Sequence, residues 1–280
     1  MNQEQESNAA ISEQALSKIR IVAAEEFYGE AARAVGGENV EVISVLKGSN
    51  IDPHHFEPTP DISRQIHEAN VIIYNGLGYD DWMENLIGAS DKSKEVIVVG
   101  KDVAEKQEGD NEHVWYDPAT MPKLVSVLAD LFSRMDPANE DSYRQGAREY
   151  LESLAPLNEL VARLKQAEPV TVAVSEPVFD YMLNALNYTV NNEMFAKAIE
   201  EETDPSPADL ARLTDDIKNR RIRFFVHNVQ TESPIVQNMV NLAKAHQIPV
   251  IEVSETAPQG KSYIEWMTEQ LGQMDRLAAP

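Results

Sequence analysis

Residues 51–60 read I-D-P-H-H-F-E-P-T-P, which sets two adjacent imidazoles, His54 and His55, and two carboxylates, Asp52 and Glu57, among three prolines. Proline fixes its own φ and restricts the residue before it, so this loop loses little entropy when a neutral imidazole takes a metal ion. A polar surface loop has the same composition, and the decapeptide alone leaves both readings open. Three residues elsewhere weigh on the choice: His113 in E-H-V-W-Y-D-P, Glu176 in V-S-E-P-V-F and Glu255 in V-S-E-T-A-P. Two imidazole nitrogens with two carboxylates form a donor set for a divalent transition metal.

Such a set needs a frame. Apolar, β-branched runs at 19–22, 40–45, 71–74 and 96–99 alternate with amphipathic segments at 27–35, 62–69 and 81–86. After residue 168 the alternation resumes, with runs at 170–174, 188–190, 222–226 and 249–253 and helical patterns at 179–186, 207–218, 233–245 and 263–271. Strands that alternate with helices imply parallel sheets. The fold class is therefore α/β: two parallel-sheet lobes, at 19–137 and 168–280, joined by one long linking helix at 138–167. Apolar residues Tyr143, Ala147, Tyr150, Leu154, Leu157, Val161 and Leu164 follow the helical period there, and Pro156 is expected to kink it. A stiff linker favours small tilts over wide opening.

In open α/β sheets, ligands collect beyond the carboxyl ends of the strands. His54 follows the second run and His113 the fourth, while Glu176 and Glu255 directly follow the runs at 170–174 and 249–253. All four are expected to project into the one cleft between the lobes.

Composition removes several alternatives. A net charge of −23 argues against nucleic acid, which needs clustered Lys and Arg. With no Cys, thiolate metal sites, disulfides and thiol catalysis are excluded. G-x-S-x-G and G-x-G-x-x-G are both absent, so acyl transfer and dinucleotide binding have no support. No apolar run approaches the ~20 residues that span a bilayer. Residues 1–18 are read as a polar, disordered tether without a basic or apolar leader pattern. That suits a cytoplasmic protein, or an extracytoplasmic one whose signal has been removed.

D-P-H-H-F-E-P-T-P, then V-I-I-Y-N-G-L-G, then E-H-V-W-Y-D-P together resemble the metal-binding solute-receptor family of ABC transporters, the zinc and manganese lipoprotein type. The resemblance extends over residues 19–277. It implies two α/β lobes joined by a long helix in an extracytoplasmic monomer, anchored through its N-terminus. It also implies capture of Mn2+ or Zn2+ for an ABC permease, without enzymatic activity. It carries ligand roles onto His54, His113, Glu176 and Glu255.

The remaining polar residues have plainer expectations. His55 competes with His54 and is expected to face solvent or a hydrogen-bond partner. Glu57 either orients an imidazole through its other nitrogen or forms a loop salt bridge. Two carboxylates and the lack of a His-rich insertion at 101–112 tilt the metal toward manganese, whereas the Irving–Williams order favours zinc. The rival is a metal-dependent hydrolase or chelatase on the same frame. It would need an open coordination position and a nearby base, and four protein ligands leave little room for either. Trp115, Tyr116 and Tyr79 read as core, and Asp117 as the cap of a helix near Thr120. His67 and His246 read as surface, His227 as a buried strand-end histidine, and Glu200, Glu201, Glu202 and Asp204 as a solvated loop.

Overall fold

The β-branched runs pair in parallel, as their alternation with helices requires. The computed structural model describes residues 18–48, 56–88 and 93–278. In the first lobe β1 (Ile19–Glu25), β2 (Val40–Leu46), β3 (Val71–Tyr74) and β4 (Glu95–Val98) form a sheet of order β2-β1-β3-β4. Ile21 is registered against Val42 on one side and Val71 on the other. The second sheet, from β5 (Val170–Val174), β6 (Tyr188–Val190), β7 (Phe225–Asn228) and β8 (Val250–Val253), repeats that order as β6-β5-β7-β8. In both, the chain reverses direction across the sheet between the two central strands, and a crevice opens beyond their carboxyl ends.

The helices cover these sheets. They are α1 (Glu26–Gly36), α2 (Pro60–Glu68), α3 (Asp81–Gly88), α4 (Thr120–Met135), α5 (Glu140–Ser153) and α6 (Ala155–Leu164). The second lobe adds α7 (Asp180–Ala185), α8 (Glu193–Glu200), α9 (Pro207–Lys218), α10 (Pro234–Ala245) and α11 (Tyr263–Ala278). Three of them start with one device. The hydroxyls of Thr59, Ser206 and Ser233 accept N–H groups of Ile62, Asp209 and Val236, and proline takes the first helical position. Proline there costs no hydrogen bond, because that N–H has no partner within the helix.

The linker runs as two helices, α5 and α6, that meet at Leu154. Pro156 cannot donate to the carbonyl four residues earlier, so the break falls just ahead of it. Leu154, Leu157, Leu160 and Leu164 stay buried across the break, which keeps both halves on the same core. α5 lies so close to α1 that a Cβ at Gly146 would meet the Ala34 carbonyl at 2.5 Å and that of Val35 at 2.7 Å. Gly146→Ala should therefore destabilise the fold by about 1–3 kcal/mol through overpacking against backbone. A urea-unfolding midpoint lowered at unchanged slope would record it.

Several boundaries differ from the sequence reading: β7, read at 222–226, is Phe225–Asn228, and α11 runs on past 271 to Ala278. β4 stops at Val98, because the Asp102 carboxylate takes the Val98 N–H at 2.8 Å and a π-helical turn, Val99–Val103, follows. The acidic stretch read as a loop begins inside α8, whose apolar side (Phe195, Ala196, Ile199) is buried.

One aromatic core crosses between the lobes. Trp115 packs on Phe27 with ring centroids 5.3 Å apart, and Phe27 packs on Trp266 at 5.7 Å. Trp115, Tyr116 and Tyr79 are all fully buried, as expected. Among the described residues no helix is long and apolar enough to cross a membrane.

Candidate metal centre

His113 lies where the two crevices face each other. It precedes a tight helical turn, Val114–Tyr116, whose rings lock into the shared core. The Tyr116 hydroxyl lies 2.5 Å from the Ser254 carbonyl and 2.8 Å from Gln270 Oε1, so the segment carrying His113 grips the segment carrying Glu255. The Glu255 N–H in turn donates to Gln230 Oε1 at 2.7 Å. The result is an imidazole 1% exposed, with Nε2 3.6 Å from Glu255 Oε1.

The tautomer follows from the hydrogen bonds. Asn111 Oδ1 accepts the backbone N–H of His113 at 2.9 Å, and Asn111 Nδ2 donates to the Pro177 carbonyl at 2.7 Å, which fixes which way the amide points. The same Oδ1 lies 2.8 Å from His113 Nδ1, so that nitrogen carries a proton. The lone pair available to a metal is then on Nε2, the atom that faces Glu255.

Glu176 stands at the β5–β7 switch point. Its Oε2 accepts from Asn228 Nδ2 at 2.7 Å and from the Thr231 hydroxyl. Burial raises its pKa and those two bonds lower it, and the charges of Glu255 and His113 both act on it. In the metal-free protein the imidazole is a cation among acids. Burial lowers the pKa of His113, but the Glu255 carboxylate facing Nε2, with the charges of Glu112 and Glu200, outweighs it and raises it to about 9.

Glu200 escaped the sequence reading. The sequence reads it as part of a solvated loop, yet its Oε1 is buried 3.7 Å from His113 Nδ1 and makes no hydrogen bond among the described residues. Burial pushes its pKa up to about 7 against the lowering effect of the His113 charge. Glu112, His113 and Glu200 offer donor atoms within 4.8 Å of one another. The one signal in the sequence was the helical spacing of Phe195, Ala196 and Ile199, which sets α8 on the core.

The other predicted positions fall as follows. His54 and His55 lie outside the described residues, as do residues 1–17 of the tether. Glu57 is exposed, and it is Asn111 that lies against His113 Nδ1. His67 is exposed, while His246 and His227 are half-buried. Asp117 takes the Ala119 N–H at 2.9 Å just ahead of α4, an Asx turn in the expected capping place.

Behind the imidazole lies a second pair of acids. Asp80, fully buried, accepts the N–H groups of Asn75 and Gly76 at 2.7 Å each, and so holds the loop that carries Tyr79 to the His113 ring edge. Glu25, 1% exposed, lies close enough to Asp80 for the two charges to act on each other. Burial, then the Asp80 charge, raises Glu25 well above the carboxylate range, so Glu25 keeps a proton. A pKa raised on folding gives stability that is present below the unfolded value, about 4.3, and lost as pH rises toward the folded one. Glu25→Gln should thus gain on the native protein by up to about 1.4 kcal/mol per pH unit above that point. Thermal melts of both at pH 5 and pH 8 measure it, and equal differences at the two pH values would contradict it.

Residues 21–276 match the family described as zinc-uptake complex component A, periplasmic, or ZnuA. The chain belongs to the ZnuA family. Among ZnuA-type relatives, the zinc-binding lipoprotein AdcA of Streptococcus pneumoniae is 25% identical over 282 residues, 92% of this chain and 55% of AdcA. The chain thus spans about half the length of that relative. The manganese-binding lipoprotein MntA of Halalkalibacterium halodurans is 25% identical over 71% of this chain and 67% of MntA. The periplasmic zinc-binding protein TroA of Treponema pallidum superposes with a TM-score of 0.75 at 18% identity, over 94% of this chain and all of TroA. The Ni2+ complex of FpvC from Pseudomonas aeruginosa gives 0.77 at 24% identity, over 93% of this chain and 97% of FpvC. At these identities the structures establish the shared ZnuA-type fold of two parallel-sheet lobes.

Proposed function

We propose that this chain is an extracytoplasmic receptor that captures a divalent transition metal and hands it to an ABC permease in the membrane. His113 Nε2, Glu176 and Glu255 supply three donors, and His54 the fourth. The observation that carries the reading is the His113 environment: a buried imidazole with Nδ1 held by Asn111 and Nε2 turned toward Glu255. That is how a histidine is prepared to ligate through Nε2. A receptor, rather than a hydrolase or chelatase, is favoured because four protein donors leave little room for water and substrate together. The relatives named above bind zinc, manganese or nickel, and the donor set suits either Zn2+ or Mn2+; its oxygen-rich character leans toward Mn2+.

The chain would act as a monomer tethered outside the membrane by its N-terminal residues. Capture requires the proton on Nε2 to leave, and release at the permease requires the lobes to tilt apart around their shared aromatic core. The test is direct titration of the metal-free protein with Zn2+ and with Mn2+ by calorimetry. One ion bound per chain, with affinity lost in Glu255→Ala, supports the reading. No binding of either ion would overturn it.

A further inference from the structure

Asn111 does more than fill space beside the imidazole. Its side-chain oxygen takes both the backbone N–H and the Nδ1–H of His113, at 2.9 and 2.8 Å. Its side-chain nitrogen donates at 2.7 Å to the carbonyl of Pro177, the residue after Glu176. Its own carbonyl accepts the Tyr181 hydroxyl at 2.8 Å, and Lys106 lies 4.9 Å above the Tyr181 ring. One amide from the first lobe is therefore bonded at one end to His113 and at the other to the chain that leaves Glu176.

We propose that Asn111 is a positioning residue that fixes the His113 imidazole with Nε2 toward the cleft and ties that orientation to the docking of the second lobe. The proposal rests on the metal-receptor reading for its consequence but not for its geometry. An imidazole has two nitrogens of nearly equal basicity, and without a fixed acceptor on Nδ1 either could face the acids around it. Glu200, 3.7 Å from Nδ1, is too far to hold the Nδ1 proton as the ring stands. Asn111 holds the ring against the other orientation. Because its other end is bonded across the lobes, the ring is fully set only when the second lobe is packed against the first.

The experiment compares the native chain with Asn111→Ala and Asn111→Asp, with histidine nitrogens labelled. In metal-free protein the native chain should show a downfield, slowly exchanging Nδ1 proton on His113. Asn111→Ala should lose it. Asn111→Asp should restore it, since a carboxylate keeps the acceptor while losing the donation to Pro177. Chelator competition with Zn2+ should find Asn111→Ala weaker by about 10–100-fold, with Asn111→Asp recovering most of the loss. If Asn111→Ala keeps both the proton signal and the native Zn2+ affinity, the proposal is overturned while the receptor reading stands. If the native chain binds neither Zn2+ nor Mn2+ but Asn111→Ala still loses the proton signal, the positioning role stands and the receptor reading falls. Melting of the metal-free variants separates either result from misfolding.

Discussion

Replacing His113 by alanine should weaken binding of Zn2+ or Mn2+ by on the order of 100-fold or more. Apparent binding free energies of about 10–16 kcal/mol at four-ligand zinc sites correspond to about 3 kcal/mol per ligand, and about 3 kcal/mol is about 100-fold. The Glu255, Glu112 and Glu200 charges favour the His113 cation in the metal-free protein, so the proton that the metal displaces there offsets part of this loss below pH 9, and the full effect is read at pH 9. Calorimetric titration of His113→Ala beside His67→Ala checks this, since His67 is exposed in the last turn of α2 and its removal should change nothing. Affinity retained in His113→Ala would assign the metal elsewhere.

The second large effect is with pH. Metal must displace the proton that His113 holds up to about 9. Below that value each unit of acidification should cost about tenfold in apparent affinity. An ordinary histidine, with a pKa of about 6.5, would level off near neutrality. The apparent affinity should instead keep climbing from pH 7 to pH 9. The same shift makes the metal-free protein's stability depend on pH in the opposite sense. A histidine pKa raised on folding contributes stability fully present below about 6.5. That contribution disappears as pH passes the folded value. Chelator competition at pH 6, 7, 8 and 9 measures the first effect; a flat response from 7 to 9 would show that no proton is being displaced from His113.

Much of the frame was legible because its signals are local. Strands buried on both faces, such as β3 with all four residues buried, appear as unbroken β-branched runs. α9 begins and ends where Ser206-Pro207 and the last periodic residue mark it. Of the four candidate donors, His113, Glu176 and Glu255 follow strand-like runs whose ends parallel topology sends to one side, while His54 lies outside the described residues. What stayed hidden acts across the fold. Asn111 reaches Pro177 over 66 residues of chain, and nothing near it in sequence announces the contact. Glu200 looked solvated because acids follow it, and α8 is only eight residues long. The Glu25–Asp80 pair was unreadable as well, since each residue alone looks like an ordinary strand-end or helix-start acid.

Anomalous diffraction from crystals grown with Mn2+ and with Zn2+, recorded at each metal's edge, tests the central claim most directly. One peak per chain is expected, about 2.0–2.2 Å from His113 Nε2 and from oxygens of Glu176 and Glu255, with His54 completing the shell. A peak bonded to other side chains, or His113 Nε2 left uncoordinated at full metal occupancy, would contradict it.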